Sequence, residues 1–146
     1  MVTSGTETPK LPAVGLEALL PRGPFSEYGL LGLVGTPQKA QPGLRLEVPW
    51  TQVDGVPWNT APVGPAVSPR VGLPREFADA VLEGLDVASR GRLTGGVLAV
   101  RAAVHSPVGS NPSVMSRLAR ACVGLMLRGD MKDDELSAFL EAVLLS

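Results

Sequence analysis

The chain is poor in the residues that most often build catalytic and metal-binding sites. It has one cysteine and one histidine among 146 residues. The lone Cys122 excludes an internal disulfide framework and a cysteine-based zinc site, and the lone His105 excludes a histidine-rich metal centre. The sequence also lacks the patterns GxxxxGK(S/T), GxGxxG, GxSxG and HExxH. We therefore predict no bound metal, no cofactor and no enzymatic activity.

Charge and long apolar runs are also scarce. Charged residues make up 18% of the chain, the formal net charge is −1 and the pI is near 5.8. This composition carries no electrostatic preference for nucleic acid or acidic membranes. No apolar stretch approaches the roughly 20 residues of a membrane span, and residues 1–10 lack the features of a signal peptide. We expect a soluble, cytoplasmic, single-domain protein without a membrane partner.

Proline is abundant but unevenly spread, because 11 of the 14 prolines precede residue 73. Proline removes a backbone donor and breaks helices, so the first half is predicted to consist of loops and short strands. Residues 1–21 are expected to form a flexible N-terminal segment, whose apolar part could dock within the molecule or onto a partner. Strands are predicted over residues 28–35 and 44–53. The proline-rich stretch 54–70 is predicted to be a long loop.

The second half reads as helix, strand, helix and a final helix. Helices are predicted over residues 74–90 and 112–128, each with a proline just inside its start and a glycine just past its end. Residues 96–105 alternate like a half-buried strand, and residues 132–144 follow as a last helix with Asp130 as N-cap. The first helix has an apolar stripe at helical spacing, made of Phe77, Val81, Leu82 and Leu85.

Helices with one apolar stripe and strands with one apolar face predict an α+β fold. We expect a two-layer sandwich, in which a small β-sheet carries two helices on one face, with a C-terminal helix added. The domain should cover residues 22–129 with the proline-rich insertion 54–70, and residues 130–146 should hold the last helix. The open face of the sheet is expected to carry Arg45, Glu47, Arg101 and His105.

The strand-to-helix loop at residues 105–112 is the candidate working loop. Backbone N–H groups there, with Ser110 and Asn111, could receive a phosphate oxygen, or these side chains could simply cap the helix. His105 is either functional, for example as the general base of an enzyme, or an exposed bystander at the strand end. On the second helix, Arg117, Arg120 and Arg128 share one side, which is either a solvated face or a contact surface for RNA or an acidic partner. Cys122 is predicted to be a buried structural thiol.

The stretch from residue 72 onward resembles the fourth domain of the translation elongation factor G family. Residues 72–77, Gly-Leu-Pro-Arg-Glu-Phe, match the family pattern G-G-x-(I/V/L)-P-(K/R)-E-(Y/F). Residues 105–110, His-Ser-Pro-Val-Gly-Ser, are similar to the family's Y-H-x-V-D-S-S, with a glycine in place of the aspartate. Upstream, Arg22-Gly23 and Tyr28-Gly29 resemble a stretched G-(R/K)-G-Q-(Y/F)-G loop, with Glu27 in place of the glutamine.

The resemblance implies the fold of the ribosomal protein S5 second-domain group and a role at the ribosome. In the elongation factor, the two loops at the domain end enter the decoding region and touch transfer RNA and messenger RNA. Together, the resemblance and the helix-start loop predict a nucleic-acid contact in this chain made of Tyr28, His105, Ser106, Gly109, Ser110, Asn111, Arg117 and Arg120.

Two functional hypotheses follow. The first is a non-catalytic binding module, associated with RNA or the ribosome through these strand-to-helix loops. The second is a structural or interaction protein that self-associates as a homo-oligomer, or binds a protein partner, through its apolar terminal segments. The acidic pI and the low charge content favour the second hypothesis, whereas the family resemblance favours the first.

Overall fold

A computed structural model describes residues 13–22, 25–36, 43–51, 55–63, 67–93, 95–129 and 131–145. Within these ranges the chain forms a sheet covered by helices, which confirms the predicted α+β sandwich. Its elements are the strands β1 (Ala13–Arg22), β2 (Phe25–Thr36), β3 (Gly43–Glu47), β4 (Val56–Pro57), β5 (Arg70–Val71) and β6 (Gly95–His105), and the helices α1 (Arg75–Ser89), α2 (Pro112–Arg128) and α3 (Asp133–Leu144).

The six strands form one mixed sheet with β6 near its middle. The order is β1-β2-β6-β5-β4, and β3 pairs with the first half of β6. The β3–β6 pair is parallel and the other pairs are antiparallel. β3 stops two residues before Pro49, so it is shorter than the predicted strand 44–53. The predicted loop 54–70 contains β4 and ends at β5, two short strands that the sequence analysis missed.

The apolar N-terminal segment is docked within the molecule. Residues 13–21 were expected to belong to a flexible segment, but they form most of β1, which pairs with β2 along its whole length. The physical reason is the alternation of this segment, since Ala18 is buried and Val14, Leu16 and Leu20 pack against the core. Residues 1–12, which were expected to be flexible as well, lie outside the described residues.

A β-bulge in β6 changes which side chains face the helices. Gly32 pairs with Ala102 and Leu33 pairs with Val100, so Arg101 has no opposite residue on β2. An extra residue reverses the alternation beyond it, because side chains in a strand point to opposite faces in turn. The alternation of this strand predicts an apolar face made of Leu98, Val100, Ala102 and Val104. Leu98 and Val100 lie in the core, but beyond the bulge Ala103 packs against the core while Ala102 is exposed. Val104 is buried as predicted, whereas the faces predicted for Ala102 and Ala103 are wrong.

The helices α1 and α2 cover one face of the sheet and bury most of the core. α2 is buried on several sides because it contacts α1, α3, β1 and β2. Asn111 caps it as predicted, with Oδ1 accepting a hydrogen bond from the amide of Val114 at 2.9 Å. In α1, Phe77, Val81 and Leu85 are buried, but Leu82 is 42% exposed, contrary to the prediction.

The last helix packs against α2 through part of its apolar stripe. Leu144 is buried, and Leu140 and Val143 lie against the core. The α3 helix starts at Asp133 after Lys132, whose side chain makes no capping bond; the predicted cap Asp130 lies outside the described residues. Across the described ranges, no helix combines the length and the apolar character needed to cross a membrane.

Candidate functional site

The loop between β6 and α2 is held by the hydroxyl of Ser106. This side chain is fully buried. Its Oγ donates to the carbonyl of Val67 and accepts hydrogen bonds from the amides of Val108 at 3.2 Å and Gly109 at 3.0 Å. The hydroxyl therefore satisfies two amides of the turn and fastens it to a segment 39 residues earlier in the chain.

A second set of bonds joins this loop to the start of β2. Ser110 Oγ donates to the carbonyl of Tyr28 at 2.6 Å and accepts from the amide of Ser106 at 2.8 Å. The amide of Tyr28 donates in turn to the carbonyl of Gly109 at 2.8 Å. A Cβ at Gly109 would lie 2.9 Å from the carbonyl oxygen of Ser26, so this close approach requires glycine. We call this unit, residues 26–28 and 106–111, the tip.

Tyr28 is a buried member of the tip. None of its surface is exposed, and its phenol donates to Glu17 Oε2 at 2.7 Å. Burial is the main cause that raises the pKa of Tyr28 far above its ordinary value, and the hydrogen bond to Glu17 and its negative charge add to the effect. The phenol therefore stays neutral and donates its hydrogen bond to Glu17.

A buried ion pair joins the tip to the middle of α2. The guanidinium of Arg117 contacts Glu27 at 3.0 Å, with both side chains largely buried. Arg117 also donates to the carbonyls of Leu144 and Ser113. The other carboxylate oxygen of Glu27 accepts from Asn111 Nδ2 at 2.7 Å. The carboxylate of Glu27 therefore lies beside the first turn of α2, where an anion is favoured.

His105 is buried rather than exposed. Only 2% of its surface is accessible, and its ring packs edge-on against Phe77 with 5.7 Å between the ring centres. Its Nδ1 lies 2.8 Å from the carbonyl oxygen of Gly72 and must carry the hydrogen, since a carbonyl only accepts. The bulge at Arg101 is the reason, because it moves His105 from the open face of the sheet to the helix face.

The structure thus brings together seven of the eight predicted site residues. Tyr28, His105, Ser106, Gly109 and Arg117 are buried, and Ser110 and Asn111 are half-buried. Arg120 is exposed, but it lies away from the tip and lines a groove with Arg128. The prediction that Arg117, Arg120 and Arg128 form one solvated or contacting row is wrong for Arg117, because its charge is paired inside the protein. A binding role for these residues stays a prediction.

The exposed surface at the end of the tip is formed by Pro107 and by Val108, which is 72% exposed. Ser113, in the first turn of α2 directly after the tip, is also exposed. We call these three residues the apex. Several amides that could have met a phosphate oxygen are already bonded within the protein, since Ser110 N donates to Ser106 O and Val114 N to Asn111 Oδ1. Capping is therefore the confirmed role of Asn111.

Sequence reasoning missed Glu27 and Val67 as parts of the site. Glu27 contacts residues that follow it by 84 and 90 positions, and Val67 contributes only a carbonyl oxygen. No local spacing signals either contact. Among the described residues, no cluster of three or more histidine, cysteine, aspartate or glutamate side chains could hold a metal ion.

No family model and no curated protein matches the chain. The fold is similar to a crystal structure of a protein from Thermus thermophilus, with a TM-score of 0.53 and 16% sequence identity. The match covers 80% of this chain and 15% of the Thermus chain, so this protein spans only a small part of that protein's length. At this identity the likeness shows the fold alone, and it supports an elongation-factor-G-like fold only loosely.

Proposed function

We propose that the chain is a non-catalytic binding module of the cytoplasm that contacts RNA, in the setting of the ribosome, through the apex of its tip. The observation that carries the proposal is the rigid presentation of Pro107 and Val108. Bonds from Ser106 and Ser110 tie this loop to two distant segments, while Val108 remains 72% exposed. A loop fixed in advance loses little entropy on binding, and exposed loops on rigid scaffolds commonly carry function.

The likeness to elongation factor G supports the choice of partner. The residues that resemble the family's two contact loops, Tyr28 and residues 105–110, meet at one end of the sheet and hydrogen-bond to each other. This is the arrangement that the resemblance implies for a domain whose end enters an RNA-lined space. The Thermus protein of similar fold is consistent with it.

The environment of His105 supports a non-catalytic role. A general base must reach the proton that it removes. His105 is by contrast only 2% accessible, and its Nδ1 hydrogen is directed to the carbonyl of Gly72. Packing against Phe77 and the hydrogen bond to Gly72 explain the position of this side chain, so no catalytic role is needed to explain it.

Binding through this apex should depend weakly on salt. The apex residues Pro107, Val108 and Ser113 are uncharged, and the charge of Arg117 is paired with Glu27. A protein that neutralises few phosphates releases few counterions. Each phosphate that is contacted adds about 1 or less to the slope of log affinity against log salt concentration. Because few phosphates are contacted, we expect a shallow slope.

The test is binding of ribosomal RNA fragments by fluorescence anisotropy. Val108→Glu and Ser113→Glu place negative charge at the apex. The positive end of the helix dipole stabilises a glutamate in the first turn of α2, where Ser113 lies. Because the added carboxylate repels the phosphates of RNA, we expect each variant to lose about tenfold in affinity, or about 1.4 kcal/mol. The control is Leu82→Glu, which makes the same kind of change on α1, where Leu82 is 42% exposed. Equal affinity of all three variants and the wild type would reject the tip as the contact.

A second candidate function, self-association, is favoured by the direction of the peptide groups of β1. Both the amide and the carbonyl of Tyr28 bond to the loop at residues 109–110. Because Tyr28 pairs with Leu19 in an antiparallel ladder, the peptide groups of Leu19 must point away from β2. The same holds for Gly15 and Glu17 by alternation. β1 is an edge strand of the described sheet, so these groups form a free edge to which another strand could add.

The edge is tested by sedimentation of the full chain. Gly15→Pro removes one outward-pointing donor from this edge, whereas Gly15→Ala keeps it and its Cβ meets nothing within 4 Å. If β1 pairs with a second copy, the wild type and Gly15→Ala sediment as dimers and Gly15→Pro as a monomer of 15.2 kDa. A monomeric wild type at millimolar concentration would exclude this candidate.

A further inference from the structure

Four arginines converge on a groove that the proposed function does not use. Arg90 and Arg92 follow α1, and Arg120 and Arg128 lie on α2. Together with residues of α3 they line a groove of about 520 Å³. These four are a large share of the 13 lysines and arginines of a chain whose net charge is −1. The groove is thus a local positive site on a weakly acidic protein.

The charges of this groove are only partly neutralised. Arg90 pairs with Asp86, and the guanidinium of Arg128 lies over the ring of Phe139, 4.5 Å from its centre. The guanidinium groups of Arg92 and Arg120 have no ion-pair or hydrogen-bond partner among the described residues, and none of the groove's described lining residues is a carboxylate. Planar guanidinium groups bind carboxylates and phosphates through two parallel hydrogen bonds. The four arginines, which we call the rim of the groove, therefore favour an anionic ligand.

Part of the lining of the groove is apolar, and we call this part its floor. Val87, which is 52% exposed, and Ala88 come from α1, and Ala142 and Val143 come from α3. Apolar floors between helices commonly receive the apolar face of another helix. A phosphate backbone would gain nothing from burying these side chains.

Phe139 provides little surface for a stacked base. Arg128 covers one face of its ring, and the ring edge rests on Gly124, where an added Cβ would lie 2.3 Å from Cζ. Recognition of single-stranded nucleic acid depends on aromatic faces on which bases stack. The ring instead serves the packing of α3 on α2.

We propose that this groove binds an acidic amphipathic helical segment of a partner protein, with apolar side chains on the floor and carboxylates on Arg92 and Arg120. Charge complementarity selects the acidic residues, and the apolar floor selects a peptide over RNA. The site is separate from the tip, and the proposal does not depend on RNA binding there.

The experiment is selection of a random peptide library on the full wild-type chain, followed by binding measurements on the selected peptides. We expect peptides rich in aspartate and glutamate, with apolar residues three and four positions apart. The double variant Arg92→Glu/Arg120→Glu should bind them at least about tenfold more weakly, because two attractive pairs become repulsive. The matched control Arg45→Glu/Arg101→Glu changes the net charge equally and should stay within about twofold of the wild type. Thermal unfolding of both variants checks that the fold is kept.

Two results would overturn the proposal. In the first, the selected peptides are not acidic, or bind the Arg92→Glu/Arg120→Glu variant as well as the wild type. In the second, a ribosomal RNA fragment displaces the peptides and loses its own affinity in the groove variant but not in Val108→Glu. This second result would assign the groove to nucleic acid and would also contradict the tip as the RNA contact. Loss of RNA affinity in Val108→Glu alone leaves the groove proposal intact.

Discussion

At the scale of single residues, the buried pair of Arg117 and Glu27 is the strongest constraint on the tip. The guanidinium bonds to a carboxylate and to the carbonyls of Leu144 and Ser113, so it joins β2, α2 and the end of α3. Its side chain is only 5% exposed. A charge in this position is stabilising only while all its partners are present.

Replacing Arg117 by methionine should lower the free energy of unfolding by about 3 kcal/mol or more, because Glu27 then remains buried without its cation. The double variant Arg117→Met/Glu27→Gln should recover part of the loss. Arg120→Met, on the same helix but exposed, should cost less than about 0.5 kcal/mol. Urea unfolding measures all three. An equal cost for Arg117→Met and Arg120→Met would contradict the buried pair.

Tyr28 should make the protein less stable in alkali. Its pKa is raised in the folded state above the ordinary value of about 10, so folding favours the neutral phenol. The resulting stability is fully present below pH about 10 and is lost as the pH rises above that value. Tyr28 is the chain's one tyrosine, so absorbance at alkaline pH reports it alone. Ionisation should coincide with unfolding. The stability of Tyr28→Phe should fall less steeply in alkali, because the raised pKa of Cys122 still acts in that variant. Ionisation of a still folded chain would contradict the burial.

Cys122 should be inert in the native protein. Burial raises the pKa of its thiol to about 12, and only the thiolate is nucleophilic. Alkylation by iodoacetamide should therefore proceed only when the chain opens, at a rate that falls as stability rises. Because Cys122 is the single cysteine, mass spectrometry follows the reaction directly. Rapid alkylation under native conditions would show that the helix face of β2 is open.

At the scale of elements, local patterns predicted the helices and missed the bulge. Helix ends depend on a proline inside and a glycine outside, as at Pro112 and Gly129, and these signals lie in the sequence next to the element. The bulge at Arg101 depends on pairing with β2, a strand far earlier in the chain. The burial of His105 follows from this bulge, and the burial of Arg117 follows from Glu27. Both errors therefore have the same cause, namely contacts distant in sequence.

Two glycines determine how closely the helices approach each other. A Cβ at Gly84 of α1 would lie 2.5 Å from the backbone oxygen of Ser116 and 2.9 Å from Ala119 Cβ. At Gly124 of α2 it would meet the end of the Phe139 ring, which can move. Alanine at Gly84 should therefore cost about 1–3 kcal/mol, and alanine at Gly124 should cost less.

Thermal unfolding of these two variants checks the ranking. Gly95→Ala is the control, because an added Cβ there meets nothing within 4 Å. Adding Phe139→Leu to Gly124→Ala should restore part of the stability by making room for the new methyl group. If Gly124→Ala were more damaging than Gly84→Ala, the helix contact that limits packing would be α2–α3 instead of α1–α2.

At the scale of the whole molecule, the polar contacts that stabilise the fold and the surfaces that could bind a partner lie in different places. The polar groups that join β2, the tip and α2 are internal, whereas Val108, the edge of β1 and the arginine groove face outward. The candidate loop predicted from the sequence forms part of the tip at one end of the sheet, and its binding role stays a prediction. It did not indicate which atoms there are accessible, because accessibility is decided by the folding of distant segments around them.

The proposed function requires that RNA contacts the apex of the tip. A titration of the ¹⁵N-labelled full chain with a ribosomal RNA fragment, followed by amide chemical shifts, tests it most directly. We expect chemical-shift changes confined to residues 26–28 and 106–113, with the amides of Arg92 and Arg120 unchanged. Shifts centred on the arginine groove, or no shifts at RNA concentrations well above micromolar, would contradict it.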